Sequence, residues 1–312
     1  MASPAPSRGP QPQSLLDPPA RVATFLVLSL RPGGEPVARE VLAGLAGLVR
    51  AVGFPHPEGQ LGCVAGIGSD AWDRLVAGPR PAGLHPFREL AGPRHRAPAT
   101  PGDLLFHIKA ARPDLCFALA CEIVRGLRGA VDVQDEVSCF SRPDARNLLG
   151  FVDGTENPVG PPAADAALVG GEDPDFAGGS YAVVQKYLHD VTAWEGLTVE
   201  GQERVMGRTK LTNLELDVPG SHIDVNTVLG PDGAERRVLR SAMPFGRPGH
   251  DEFGTYFAVY ARTPEVPETM LRNMFLGGAD AGPDPLLDFA RAVTGTLFFV
   301  PSADLLEWLA DD

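Results

Sequence analysis

Apolar positions recur along this chain with two periods, near 2 and near 3.6 residues, and the order in which the periods alternate predicts the elements. Residues 21–30 are an almost unbroken apolar and β-branched run, which predicts a strand. Leu42, Leu45 and Leu48 then fall at helical spacing within residues 37–52, and Gly53 and Pro55 end the pattern. Residues 61–67 predict a second strand, and Ser69-Asp70 opens a short helix through Trp72 and Leu75. Residues 104–110 alternate as a third strand, Asp114 starts a helix to about Leu127, and residues 131–140 predict a fourth strand. That last strand places Val131, Val133, Asp135 and Val137 on one face. The second half has the same content, with strands at 180–188, 255–261 and 295–300 and helices at 198–206, 266–275 and 302–308. Half-polar strands alternating with helices predict an α+β fold, helices packed on one face of an antiparallel sheet. The first half suits a ferredoxin-like unit. No repeat is visible in the residues themselves, so the duplication rests on pattern alone.

Composition narrows the function classes. The formal charge is −13, against the basic face that phosphate-backbone binding requires, so no nucleic-acid partner is expected. No apolar run reaches membrane-spanning length, and no membrane partner is expected. Cys63, Cys116, Cys121 and Cys139 have no zinc-ligand spacing and include no CxxCH, which excludes covalent haem attachment by that motif. Four packed, reduced thiols fit a cytoplasmic protein. Residues 1–19 are rich in Pro, Ser and Ala without an apolar core, and read as a disordered N-terminal arm.

Three residues stand out for chemistry. Asp153 lies in residues 150–158, Gly-Phe-Val-Asp-Gly-Thr-Glu-Asn-Pro, a turn whose apolar flank would cover the carboxylate and raise its pKa. His222 follows a Pro-Gly break and fits either a metal ligand or a satisfied core histidine. Arg240 sits between Leu239 and Met243-Pro244-Phe245, a setting that holds a guanidinium toward an anion or a polar pocket. His85 and His95 lie in a Pro- and Gly-rich loop and read as solvated, and His107 reads as a sheet-face histidine with a local partner. No GxSxG motif supports a hydrolase. An acid, a histidine and an arginine suit peroxide chemistry on haem, which needs an axial ligand, a proton carrier and a cation.

At these residues the chain resembles the dye-decolourising peroxidases, and its compact form resembles their bacterial cytoplasmic B-type subgroup. Residues 150–154 match the family's GxxDG signature, 221–223 its proximal-histidine segment and 240–246 its distal-arginine segment. Residues 207–210 and 286–301 match as well, so the likeness spans about residues 20 to 310. The resemblance implies two ferredoxin-like domains of the dimeric α+β barrel type, at 20–145 and 146–312. The second would bind one non-covalent haem b. It implies Asp153 and Arg240 as distal catalytic residues and His222 as the axial iron ligand. Arg208 would face a haem propionate, and Gly154, Thr155, Leu297 and Phe298 would lie along the cofactor. Asp284, with Asp288 as the alternative, would accept the other ring N–H of His222. One position departs from the pattern: Ala242 stands where the family usually has Asn.

The activity implied is reduction of hydrogen peroxide and oxidation of dyes, phenolics or other one-electron donors through a ferryl species. Asp153 would shuttle the proton and Arg240 would stabilise charge, without a ranking between them. The partners expected are peroxide, an organic or metal-ion electron donor, and further copies of the chain in a homo-oligomer. Tyr181, Tyr187, Trp194 or Tyr256 could pass electrons if they reach the surface, but core packing is the expected role of each. Glu156, Glu215 and Glu235 could bind a metal-ion donor. The competing readings are a haem-handling protein with little turnover and a haem-free ferredoxin-like binding module.

Overall fold

The computed structural model describes residues 9–278 and 282–309. The first half runs β1 (Val22–Leu30), α1 (Glu35–Ala43), α2 (Leu45–Gly53), β2 (Gly62–Gly68), α3 (Ser69–Leu75), the short ribbon β3 (Leu90–Ala91) and β4 (Arg96–Ala97), β5 (Leu104–Ala110), α4 (Pro113–Gly126) and β6 (Val131–Phe140). The second half runs α5 (Pro161–Ala167), β7 (Ser180–His189), α6 (Val191–Glu195), α7 (Val199–Met206), α8 (His222–Asn226), β8 (Leu239–Arg247), β9 (Glu252–Ala261), α9 (Glu265–Leu276), β10 (Ala290–Ala292), β11 (Thr296–Val300) and α10 (Ala303–Trp308).

The main strands order as β6-β1-β5-β2-β11-β7-β9-β8, all antiparallel. Within each half the four long strands take the spatial order fourth, first, third, second, which is the ferredoxin-like βαββαβ arrangement. The two halves join edge to edge where Phe298 and Phe299 of β11 pair with Gly68 and Ile67 of β2. The outer strands β6 and β8 also approach each other, so the sheet curls into a barrel. Its inside shows in the alternation: Phe25, Val64, Leu105, Val137, Val184, Met243, Tyr256, Tyr260 and Phe298, from all eight strands, form one buried cluster. The opposite face carries the helices and a larger core through Leu26, Trp72, Phe106, Leu119, Tyr187, Met270 and Phe299.

Three expectations change, and one long strand, β8, is additional to those expected. The helix expected over 37–52 breaks at Gly44 into α1 and α2. A bulge shifts the β1–β6 register between Val27 and Leu28, so Val133 is exposed while Val137 is buried inside the barrel; the four residues do not share one face. Strand β8 contains Pro244, which an edge strand tolerates because a missing N–H costs nothing on its free side. The N-terminal arm is not loose where it is described. Leu15 is buried, and the Gln13 amide bonds both to Ala65 and to the carbonyl of Pro301, fastening this segment across the junction of the halves. Residues 1–8 lie outside the described residues.

Candidate active site

The loop between β6 and α5 is built to hold one carboxylate. Asn147 accepts the backbone N–H groups of Leu149 and Phe151 at its Oδ1, which orients its Nδ2 to donate to Asp153 Oδ1 at 3.2 Å. The Asp153 N–H donates to Ala145 O. Gly150 (φ 89°) and Gly154 (φ 78°) take left-handed conformations that a side chain would strain. Between them Phe151 anchors the loop in a small core with Leu149, Trp194 and Met206. Asp153 keeps partial exposure, and it lines a cavity. Burial pushes its carboxyl up to about 6, while the Asn147 hydrogen bond and nearby His222 pull it back down.

Arg240 enters the same cavity from edge strand β8. Among the described residues its guanidinium has no hydrogen-bond or ion-pair partner. Burial lowers its pKa, and Glu156 and Glu235 oppose that shift. Its backbone is tied to the loop: Arg240 N–H donates to Asn157 Oδ1, and Asn157 Nδ2 donates to Arg240 O, both at 2.8 Å. Ala242, two residues along the strand, also lines the cavity and offers no polar group there.

His222 is the first residue of α8, capped by Ser221. Its Nδ1 donates to Asp284 Oδ2 at 2.6 Å, and Asp284 is fully buried. The other Asp284 oxygen accepts the N–H of Leu286, and Asn226 Nδ2 donates to the carbonyl of His222. This arrangement places the N–H on Nδ1 and leaves Nε2 with a free lone pair, the form of imidazole that ligates a metal. Asp288, the alternative partner, pairs instead with Arg94 and His95.

These side chains meet in a cavity of about 970 Å³. Asp153, Gly154, Thr155, Arg208, His222 and Arg240 all line it, with apolar walls from Met206, Ile223, Phe257, Met270 and Met274. Arg208 is buried and pairs with Glu156, with Glu215 at 3.9 Å and the Asn213 carbonyl at 3.1 Å. Leu297 and Phe298 do not line the cavity. Both lie on β11 in the middle of the sheet, Leu297 packed in the helix-side core and Phe298 inside the barrel. Tyr181, Tyr187, Trp194 and Tyr256 are all buried core residues, as core packing leads one to expect, and Tyr187 also lines the cavity. His85 and His95 are not free in solvent, since they pair with Glu268 and Asp288. His107 finds its partner, Tyr260 at 2.7 Å, 153 residues away rather than locally. Glu156, Glu215 and Glu235 line the cavity together, yet no group of three acidic, His or Cys residues among the described residues is arranged to hold a metal ion.

Asn147, Asn157 and Asn226 escape the sequence reading. Asparagine in a turn-rich stretch is ordinary, and nothing in the residue order shows that its amide reaches Asp153, Arg240 or His222. The spacing of Asn157, four residues after Asp153 in the signature loop, is the one signal that could have marked it.

Two family descriptions match the chain: Dyp-type peroxidase, N-terminal, over residues 13–141, and Dyp-type peroxidase, C-terminal, over residues 144–305. A dye-decolorizing peroxidase of Mycolicibacterium paratuberculosis is 55% identical over 301 residues, covering 95% of this chain and 85% of that protein. A variant of Rhodococcus jostii RHA1 DypB, solved in complex with heme, superposes with a TM-score of 0.93 at 54% identity, covering 95% of this chain and 97% of that one. A DypB variant in complex with manganese gives the same TM-score at 55% identity, over 95% of this chain and 98% of that one. With both halves matched and these residues gathered in one cavity, the chain belongs to the Dyp-type peroxidase family.

Proposed function

We propose that this chain is a haem peroxidase that reduces hydrogen peroxide and oxidises dyes, phenolics or other one-electron donors. The observation that carries the reading is the convergence of three groups on one cavity: an imidazole with free Nε2, a carboxyl with a raised pKa and an unpaired guanidinium. The donor set fits a b-type haem. His222, with Asp284 holding its ring, would ligate the iron, and Arg208 would exchange Glu156 for a haem carboxylate. Gly154 and Thr155 border the same space. Bound haem supplies the redox chemistry by which peroxide is reduced and donors are oxidised.

The protein's part is proton and charge handling. Above pH 6 Asp153 is largely ionised and can take a proton from peroxide. A pKa near the working pH lets the same carboxyl accept the proton and then return it to the oxygen that leaves as water. Arg240, unpaired and partly desolvated, offsets the negative charge that develops as the O–O bond breaks. Residues 20–145 and 146–312 serve as two domains, the second carrying the cofactor ligands. Organic donors meet the cavity, and the carboxylates of Glu156, Glu215 and Glu235 along its wall would attract a metal-ion donor without forming a ready-made ligand set among the described residues. Exposed Phe54 and Phe117 support a homo-oligomer, and four free thiols support a cytoplasmic setting. No helix among the described residues is long and apolar enough to cross a membrane.

The test is a haem titration followed by absorbance, then peroxide-dependent dye bleaching by the loaded protein, by Asp153→Ala and by Arg240→Leu. The expected result is stoichiometric haem uptake that His222→Ala weakens, and slower reaction with peroxide in at least one distal variant. Absence of haem uptake, or wild-type peroxide rates in both distal variants, overturns the proposal. Haem uptake without bleaching would identify a haem-handling protein instead.

A further inference from the structure

We propose that Asn157 is a positioning residue of the peroxide site: its side-chain amide couples the loop of Asp153 to the backbone of Arg240 and so sets the distance between acid and cation. Strand β8 is the last in the order of hydrogen-bonded strands, and Arg240 stands opposite Val259 of β9. Both backbone polar groups of Arg240 are taken by Asn157, its N–H by Oδ1 and its carbonyl by Nδ2, at 2.8 Å each. A side-chain amide carries one acceptor and donors on a single plane, so it can satisfy both groups as a neighbouring strand's peptide would. It acts here as a one-residue extension of the sheet at an otherwise free edge.

The other end of the coupling is short. Asn157 N–H donates to Gly154 O, closing the turn that begins directly after Asp153. Buried Pro158 follows, and a residue before proline is biased to extended backbone, which restricts where the amide can point. The guanidinium of Arg240 makes no hydrogen bond or ion pair among the described residues, so its place depends on how its backbone is held. Asp153, in contrast, is held directly by Asn147. Without Asn157 the two catalytic groups would sit on separate elements, a loop and an edge strand, with no direct hydrogen bond between Arg240 and that loop. A displacement near 1 Å in such a site can cost roughly 10²-fold in rate.

This inference rests on the haem-peroxidase reading, and the controls separate the two. Haem-loaded wild type, Asn157→Ala and Asn157→Asp are compared with Asp153→Ala and Arg240→Leu. Hydrogen exchange is followed in peptides spanning residues 239–242, and kcat/KM is measured separately for peroxide and for dye. In Asn157→Ala the Arg240 amide is expected to exchange faster and peroxide kcat/KM to fall about 10- to 100-fold, with haem content and dye KM unchanged. Asn157→Asp keeps the acceptor for Arg240 N–H but turns an oxygen toward the Arg240 carbonyl. It should change both readouts in the same direction, and it carries the test if Asn157→Ala does not fold. Unchanged exchange, or faster exchange with peroxide kcat/KM within about twofold of wild type, overturns the role of Asn157. If Asp153→Ala and Arg240→Leu also react at the wild-type rate, the proposed function falls together with it.

Discussion

At the scale of single residues, Asp153, the proposed proton carrier, is tuned by two opposing effects. Burial raises the Asp153 pKa from its usual value near 4 to about 6, and the Asn147 amide limits that rise by donating to the carboxylate. Peroxide kcat/KM should therefore fall as pH drops through about 6, because the base becomes protonated. Asn147→Leu removes the donor that favours the ionised form, so this acidic limb should move to higher pH. A pH profile of peroxide kcat/KM that stays in place in Asn147→Leu would refute the coupling. The linked stability effect has the opposite sense to a salt-bridged acid. A raised native pKa costs no stability below pH 4, and a penalty grows as pH rises from 4 to 6. Ala242 gives a second prediction at this scale. It lines the cavity two residues from Arg240 and lacks the amide usual in the resembling family. Ala242→Asn is expected to raise the rate with peroxide severalfold; equal stopped-flow rates for the two proteins would show that the missing amide is irrelevant here.

At the scale of elements, the His222–Asp284 pair depends on two short segments meeting. His222 begins a five-residue helix, α8, and Asp284 caps the 3-10 turn Pro285–Asp288. Neither element is long enough to be stable in isolation, and α8 packs against α9, whose Met274 carbonyl accepts the Asp284 N–H. Asp284→Ala leaves Nδ1 of His222 without its buried acceptor. Haem affinity is expected to fall about 10- to 100-fold, as for other partners of ligating histidines, and a haem titration measures it. Asp288→Ala should leave that affinity near wild type, since Asp288 holds Arg94 and His95 instead.

At the scale of the whole molecule, a single curled sheet carries both halves. Phe298 is the clearest case. The residue expected beside the cofactor is fully buried in the barrel, at the β11 strand that joins β2 to β7. Phe298→Ala should therefore act on stability, costing about 3–5 kcal/mol in denaturant unfolding, while haem affinity of the folded fraction stays unchanged. Loss of haem affinity without loss of stability would return Phe298 to the cofactor. Gln13 fastens the N-terminal segment to Ala65 in one half and to Pro301 in the other, so the arm contributes to the same junction.

Much of this architecture is already legible in the order of residues. Period and punctuation act locally, and they predict strands at 104–110 and 131–140 that coincide with β5 and β6. The signature segments also name Asp153, His222, Arg208 and Arg240, because the few residues around each of them are distinctive in themselves. What the residue order leaves undecided are relations between segments far apart in the chain. The choice of Asp284 over Asp288 depended on which carboxylate of the capped turn, tied to α9 through Met274, reaches His222, 62 residues away. The burial of Phe298 depended on β11 being placed at the centre of the sheet by pairing on both sides. The tie between Asn157 and Arg240 spans 83 residues and uses backbone groups, which no side-chain pattern reports. Local conformational preference is written in neighbouring residues, but the distances between Asp153, His222 and Arg240 are set by the packing that brings separate elements together.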